Sequence, residues 1–159
     1  MLRCPEPVPS SMPSTLSRVT KRRWTYADYC RIPPDRKRHE IIDGRHYVNP
    51  GPSPDHQSVG ILLGFDLVRL ITKRRRGRVF TAPIDVHLGP GSVVQPDLVV
   101  LVGRNTSIVG PRKITGVPDL LIEVLSPSNR SYDRRRKFAR YERAGVREYW
   151  IVDPAAHTV

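Results

Sequence analysis

Leu120-Leu121-Ile122-Glu123-Val124-Leu125 is an apolar run with one acid inside it. Such a run suits a strand buried on both faces, as found in the middle of an α/β sheet. Glu123 is the anomaly, because taking an unpaired carboxylate out of water costs on the order of several kcal/mol. Ser126-Pro127-Ser128-Asn129 breaks the strand, and Asp133 to Ala144 then reads as a basic helix with Phe138 and Tyr141 as its buried pair and Gly145 as its end. Glu148-Tyr149-Trp150-Ile151-Val152 forms the next strand, stopped by Asp153-Pro154.

Moving toward the N-terminus, residues 103–118 read as a polar loop. Before it, Arg78 to Leu88 alternates as a strand, Gly89-Pro90-Gly91 turns the chain, and Val93 to Val102 supplies a second strand interrupted by Gln95-Pro96-Asp97. Ser53-Pro54-Asp55 starts a helix: a capping serine, proline at the first helical position, and an acid at the positive end of the dipole. Val59, Leu62, Leu63, Leu67, Leu70 and Ile71 give that helix one apolar face, and Lys73-Arg74-Arg75-Arg76 places cations at its negative end before Gly77. Residues 39–48 read as a hairpin about Asp43-Gly44, and Trp24 to Arg31 as a short helix ended by Pro33-Pro34. The core order is helix, strand, strand, strand, helix, strand. That predicts an α/β fold with a central sheet flanked by helices and an N-terminal hairpin.

The 159 residues fit one domain, and residues 1–23, rich in proline and serine and ending Lys21-Arg22-Arg23, read as a flexible basic arm ahead of it. The formal charge is +12, with nine Lys or Arg against three acids in residues 1–39 and ten against six in residues 111–159. A polyanion is the partner this favours, with nucleic acid foremost. Arg74, Arg75, Arg76, Arg134 and Arg135 are the candidate phosphate contacts. Cys4 and Cys30 form no CxxC pair, which argues against a zinc site or a disulfide framework and for a reducing, cytoplasmic setting. No apolar signal core opens the chain and no run reaches membrane-span length, so no membrane partner is expected.

Glu123 needs a counter-charge. An ion pair with an arginine would serve, and so would a metal ion shared with Asp97, an acid placed directly after Pro96 near the start of another central strand. Seven fragments in order carry a resemblance: Glu40-Ile-Ile-Asp-Gly, Pro54-Asp-His-Gln, Ala82-Pro-Ile-Asp-Val, Gln95-Pro-Asp-Leu, Pro118-Asp-Leu-Leu-Ile-Glu-Val-Leu-Ser-Pro-Ser, Asp133 with Lys137, and Ala144-Gly-Val-Arg-Glu-Tyr-Trp-Ile-Val-Asp-Pro. Over roughly residues 24–159 they resemble the Uma-two family of restriction-endonuclease-like proteins, within the PD-(D/E)XK nuclease superfamily.

The resemblance implies a restriction-endonuclease-like core built on a mixed sheet. It also implies a metal-dependent nuclease that hydrolyses phosphodiester bonds, with DNA cut internally as the expected substrate. Asp97 becomes the acid of the PD element, Glu123 the second acid and Glu40 a third acidic member. Mg²⁺ is the expected ion, with Mn²⁺ as a substitute, held by Asp97, Glu123 and the backbone carbonyl of Val124. The usual lysine position, two residues after the second acid, holds Leu125. The resemblance moves that lysine to Lys137, four residues after Asp133. Against this stands the run Arg134-Arg135-Arg136-Lys137, in which most charges are simply solvated. His56, on the first turn of the long helix, and Asp85, on a neighbouring strand, are weaker members of the site, since hydrogen bonding to a loop or pairing with an arginine would explain them. The resemblance further implies strands beyond Val159, and a homodimer is among the expected assemblies. The alternative is a non-catalytic nucleic-acid-binding module on a degenerate nuclease fold, which the absent lysine at position 125 favours.

Overall fold

The computed structural model describes residues 22–35, 37–72, 76–126 and 133–159. Most of the basic arm, Cys4, Arg74, Arg75, the Pro127-Ser128-Asn129 break and the Arg134 side chain lie outside the described residues.

Helix α1 (Tyr26–Cys30) starts at Thr25, whose hydroxyl accepts from the Asp28 backbone while the Asp28 carboxylate accepts from the Thr25 backbone, a reciprocal capping box. Strands β1 (Arg38–Ile42) and β2 (Arg45–Asn49) form the expected hairpin. Its turn residues have φ of 52° at Asp43 and 76° at Gly44, the left-handed pair that matches strand twist. Helix α2 (Pro54–Ile71) follows, with the Ser53 hydroxyl accepting from His56 N.

The next stretch departs from the two long strands expected. Arg78 to Leu88 divides into β3 (Gly77–Thr81) and β4 (Val86–His87), and Val93 to Val102 into β5 (Val93–Val94) and β6 (Leu98–Val102). The breaks fall at Ala82-Pro83, a cis peptide bond, and at Gln95-Pro96-Asp97. Each half joins a different sheet. Proline cannot donate to a ladder, so these are the places where the chain can leave one sheet for the other. The polar loop also holds regular structure, a 3-10 helix at Gly103–Ile108 and the short strand β7 (Ile114–Thr115).

One sheet has the order β3-β6-β8-β9, where β8 is Leu120–Val124 and β9 is Glu148–Val152. Strands β3, β6 and β8 pair antiparallel and β8 pairs with β9 parallel, so this central sheet is mixed. The parallel step needs a crossover, which is a π turn at Asp133–Lys137 continuing into α3 (Phe138–Ala144). The other sheet, β2-β1-β5-β4-β7, extends the hairpin into five strands. The α/β architecture, with a mixed central sheet flanked by helices, agrees with the sequence reading, while the breadth of this second sheet does not follow from it.

Alternation along β6 and β8 separates two cores. Leu98, Val100, Leu120, Ile122 and Val124 meet Leu67 of α2, while Val99, Leu101 and Leu121 meet Tyr141 of α3 and Ile42, Val86, Val94 and Ile114 of the second sheet. Two apolar assignments need correction. On α2, Leu62 and Leu70 are exposed, and Gly64 takes the buried position against Leu98. On α3, Tyr141 is fully buried but Phe138 is exposed, because the inward stripe runs through Lys137 and Tyr141 and Phe138 falls to one side of it. Among the described residues, no helix is long and apolar enough to cross a membrane.

Candidate active site

Glu123 sits on the β8 face that looks toward α3. Its Oε1 accepts from Lys137 Nζ at 2.8 Å and from Tyr141 OH at 2.8 Å. Lys137 and Tyr141 are four residues apart, so the end of the π turn and the first turn of α3 deliver both donors to one carboxylate. Burial raises the Tyr141 phenol well above its usual value, and the charges of Glu123 and Glu40 push the same way, so it acts as a neutral donor.

Glu40 comes from β1 in the other sheet. Its Oε1 lies 3.1 Å from Lys137 Nζ and accepts from the Gln95 backbone at 2.7 Å, and its Oε2 accepts from Asn49 Nδ2 at 2.6 Å. The side chains of Lys137, Glu40 and Glu123 are 2%, 0% and 2% exposed, so one buried ammonium joins an acid from each sheet. Ion pairs also tie α3 to the β1–β2 turn, from Arg140 at 3.7 Å and from Arg143 to Asp43, and Arg140 donates to Ser92 Oγ at 2.8 Å.

Asp97 precedes β6. The antiparallel register pairs Leu98 with Ile122, and one further step sets Asp97 opposite Glu123. Two carboxylates facing each other across a ladder repel, and the surroundings counter this. Asp97 Oδ1 accepts from Arg38 Nη1 at 2.8 Å, while Oδ2 accepts from Val124 N at 2.8 Å and from His56 Nε2 at 3.0 Å. Burial pushes the Asp97 carboxyl up, but the His56 hydrogen bond, the Arg38 charge and the Val124 amide outweigh it and hold it below its usual value. Burial likewise opposes the Arg38 charge, and Asp97, Glu123 and Glu40 together outweigh that, raising the guanidinium further.

Gln95 braces the strand break from below. Its side-chain nitrogen donates to Asp85 Oδ1 at 2.9 Å and to Tyr29 OH at 3.0 Å, and Tyr29 donates to Asp85 Oδ1 at 2.6 Å. Among the described residues, Asp85 is therefore held by a phenol and an amide and not by an arginine. Burial and the Asp85 charge raise the Tyr29 phenol far above its ordinary range.

Glu40, Asp97, Glu123, Lys137 and His56 thus converge, together with the Val124 backbone. The basic contacts do not all join them. Arg76 is exposed, and its backbone carbonyl accepts from Gly103 N at 2.7 Å beyond the far end of β6, roughly 20 Å along the strand from Asp97. Arg135 is exposed. Four residues of the constellation were not picked out by sequence: Arg38, Asn49, Gln95 and Tyr141 as a donor. Alternation on β1 could have found Arg38, which shares a face with Glu40, and helical spacing could have linked Tyr141 to Lys137.

The candidate donors, the Asp97 and Glu123 carboxylates with the Val124 backbone carbonyl, are all oxygen, which suits a hard divalent ion. Its oxygens are engaged by Arg38, His56, Lys137 and backbone amides, and among the described residues no group of three or more His, Cys, Asp or Glu stands ready to hold a metal.

Among solved structures, the chain is similar to a crystal structure described as a putative nuclease belonging to DUF820 from Anabaena variabilis. The TM-score is 0.69 at 20% identity, with 83% of this chain and 75% of that chain covered, a likeness of fold. No curated protein matches the chain. Residues 26–159 match the model of the Uma2 family, described as "Putative restriction endonuclease", and the chain belongs to that family.

Proposed function

We propose that the protein is a Mg²⁺-dependent nuclease that hydrolyses phosphodiester bonds, with DNA cut internally as its substrate. The observation that carries this reading is the buried Lys137 ammonium between Glu123 and Glu40, with Asp97 at the strand position opposite Glu123. It supplies, from the following helix, the cation that position 125 lacks. In the PD-(D/E)XK arrangement the lysine accompanies the two metal-binding acids, and here Asp97 and Glu123 occupy facing positions on β6 and β8.

Phosphodiester hydrolysis needs a positioned water, neutralised phosphoryl oxygens and help for the leaving oxyanion. Asp97, Glu123 and the Val124 carbonyl are the groups that would hold the ion, which when bound supplies charge neutralisation and a more acidic water. Lys137 orients the attacking water and balances charge developing on the phosphoryl oxygens. Glu40 keeps Lys137 aimed at Glu123. Tyr141 and Asn49 fix the two glutamates, and His56 fixes Asp97. In a cytoplasmic setting a homodimer would bury the exposed apolar side of α2, where Ile61, Leu62 and Phe65 stand.

Incubating supercoiled DNA with the protein in Mg²⁺ and in chelator tests this. Nicking in Mg²⁺ alone, abolished by Asp97→Ala and by Glu123→Ala, is the expected result. Cleavage that persists in chelator or survives both substitutions refutes the site. The second reading, a nucleic-acid-binding module, draws support from the internal neutralisation of all three acids. Salt-sensitive DNA binding without cleavage in any divalent ion would favour it.

A further inference from the structure

Arg38 sits differently from the other cation in the cluster. The Lys137 side chain is 2% exposed and locked between two acids, whereas the Arg38 side chain is 17% exposed, at the solvent edge. One Nη donates to Asp97 Oδ1 at 2.8 Å and the other to the Gln95 carbonyl. Its Nε is buried and finds no acceptor among the described residues. A buried donor left unmet loses its hydration without a replacement, so the group gains from finding an acceptor. This guanidinium is therefore strongly attracted as a charge, feeling Asp97, Glu123 and Glu40 together, yet incompletely satisfied as a hydrogen-bonding group.

We infer that Arg38 is a substrate-binding residue that covers Asp97 in the resting site and turns its guanidinium onto a substrate phosphate when a divalent cation takes the Asp97 oxygen. The inference rests on the metal-dependent reading above. A cation arriving from solvent meets Arg38 before Lys137, and both cannot share Asp97 Oδ1. Once displaced, Arg38 is a long side chain on a fixed strand, with five N–H donors and a second positive charge close by. The acceptor that best matches a guanidinium fork and relieves that repulsion is an anionic phosphate. Metal and phosphate binding then favour each other, and by linkage each strengthens the other equally.

The experiment uses the full chain and two readouts other than cleavage. Calorimetry with Mn²⁺ alone gives metal affinity, and anisotropy of a labelled phosphorothioate duplex with and without Mn²⁺ gives the coupling. Arg38→Gln is expected to bind Mn²⁺ about tenfold more tightly than the wild type, since the competing charge is gone. Mn²⁺ is expected to tighten duplex binding at least about fivefold more in the wild type than in Arg38→Gln, where only the ion's own charge remains. Arg38→Lys keeps a cation without the fork, which guards against misfolding of the neutral variant. It should show Mn²⁺ affinity near wild type and a reduced duplex gain. Unchanged or weaker Mn²⁺ binding in folded Arg38→Gln, or a duplex gain undiminished in both variants, overturns the role of Arg38. Mn²⁺ binding that persists in Asp97→Ala, or is absent from every protein, instead removes the metal site and the inference with it.

Discussion

Replacing Lys137 with methionine keeps the volume of its stem and removes the buried charge that pairs directly with both Glu123 and Glu40. The ammonium stands 2.8 Å from one carboxylate and 3.1 Å from the other, and all three side chains are at most 2% exposed. The two oxygens therefore lie no more than about 6 Å apart, and without the lysine they repel by roughly 3 kcal/mol at an effective dielectric of about 20. A loss of about 3 kcal/mol falls within the range for breaking a buried pair. Urea unfolding followed by circular dichroism at pH 7, for wild type and Lys137→Met, measures the difference. A loss below about 1 kcal/mol would show that the two carboxylates do not depend on this ammonium.

Tyr141→Phe should cost about 1–2 kcal/mol at pH 7 by removing a donor to Glu123. The phenol is raised in the folded state, so its contribution is complete below its unfolded value near 10 and is lost as pH climbs toward the folded one. Urea titrations should therefore show a shallower decline above pH 10 in the variant. Gly77→Ala should lose about 1–3 kcal/mol or more, because a Cβ there would meet the Leu101 carbonyl oxygen at 2.0 Å; a melting temperature equal to wild type would contradict this. With a net charge of +12, DNA affinity should fall linearly on a log–log plot against salt, and an affinity flat with salt would remove the phosphate backbone from the contacts.

Local signals carried the parts of the fold that local chemistry decides. Ser53-Pro54 capped α2, Asp43-Gly44 turned the hairpin, and the unbroken apolar run around Glu123 marked a strand buried on both faces. The second sheet was not legible in the same way. Strands β4, β5 and β7 have two residues each, too short for alternation to register, and long-range pairing defines them. The exposed Leu62 and Leu70 show the limit of periodicity, since α2 is apolar around more of its circumference than the sheet covers. At the site, the acids stood out because they were costly where they lay. Lys137 could be reached only through the family resemblance, because nothing in a row of four cations says which one turns inward. Arg38 escaped because a basic residue on a strand looks like surface until the Asp97 opposite it is placed.

We propose that Lys137, and not its neighbours in the basic run, completes a catalytic site with Asp97 and Glu123. Single-turnover cleavage of duplex DNA in Mg²⁺ by wild type, Lys137→Gln and Arg135→Ala separates the two possibilities, under conditions where circular dichroism shows every protein folded. Glutamine retains a donor for one acid but no charge. The expected rate is at least roughly a hundredfold lower for Lys137→Gln, the scale of losing one positioned charge, with Arg135→Ala near wild type at saturating substrate. Equal rates for the two variants, or no Mg²⁺-dependent cleavage by the wild type, would rule out this role for Lys137.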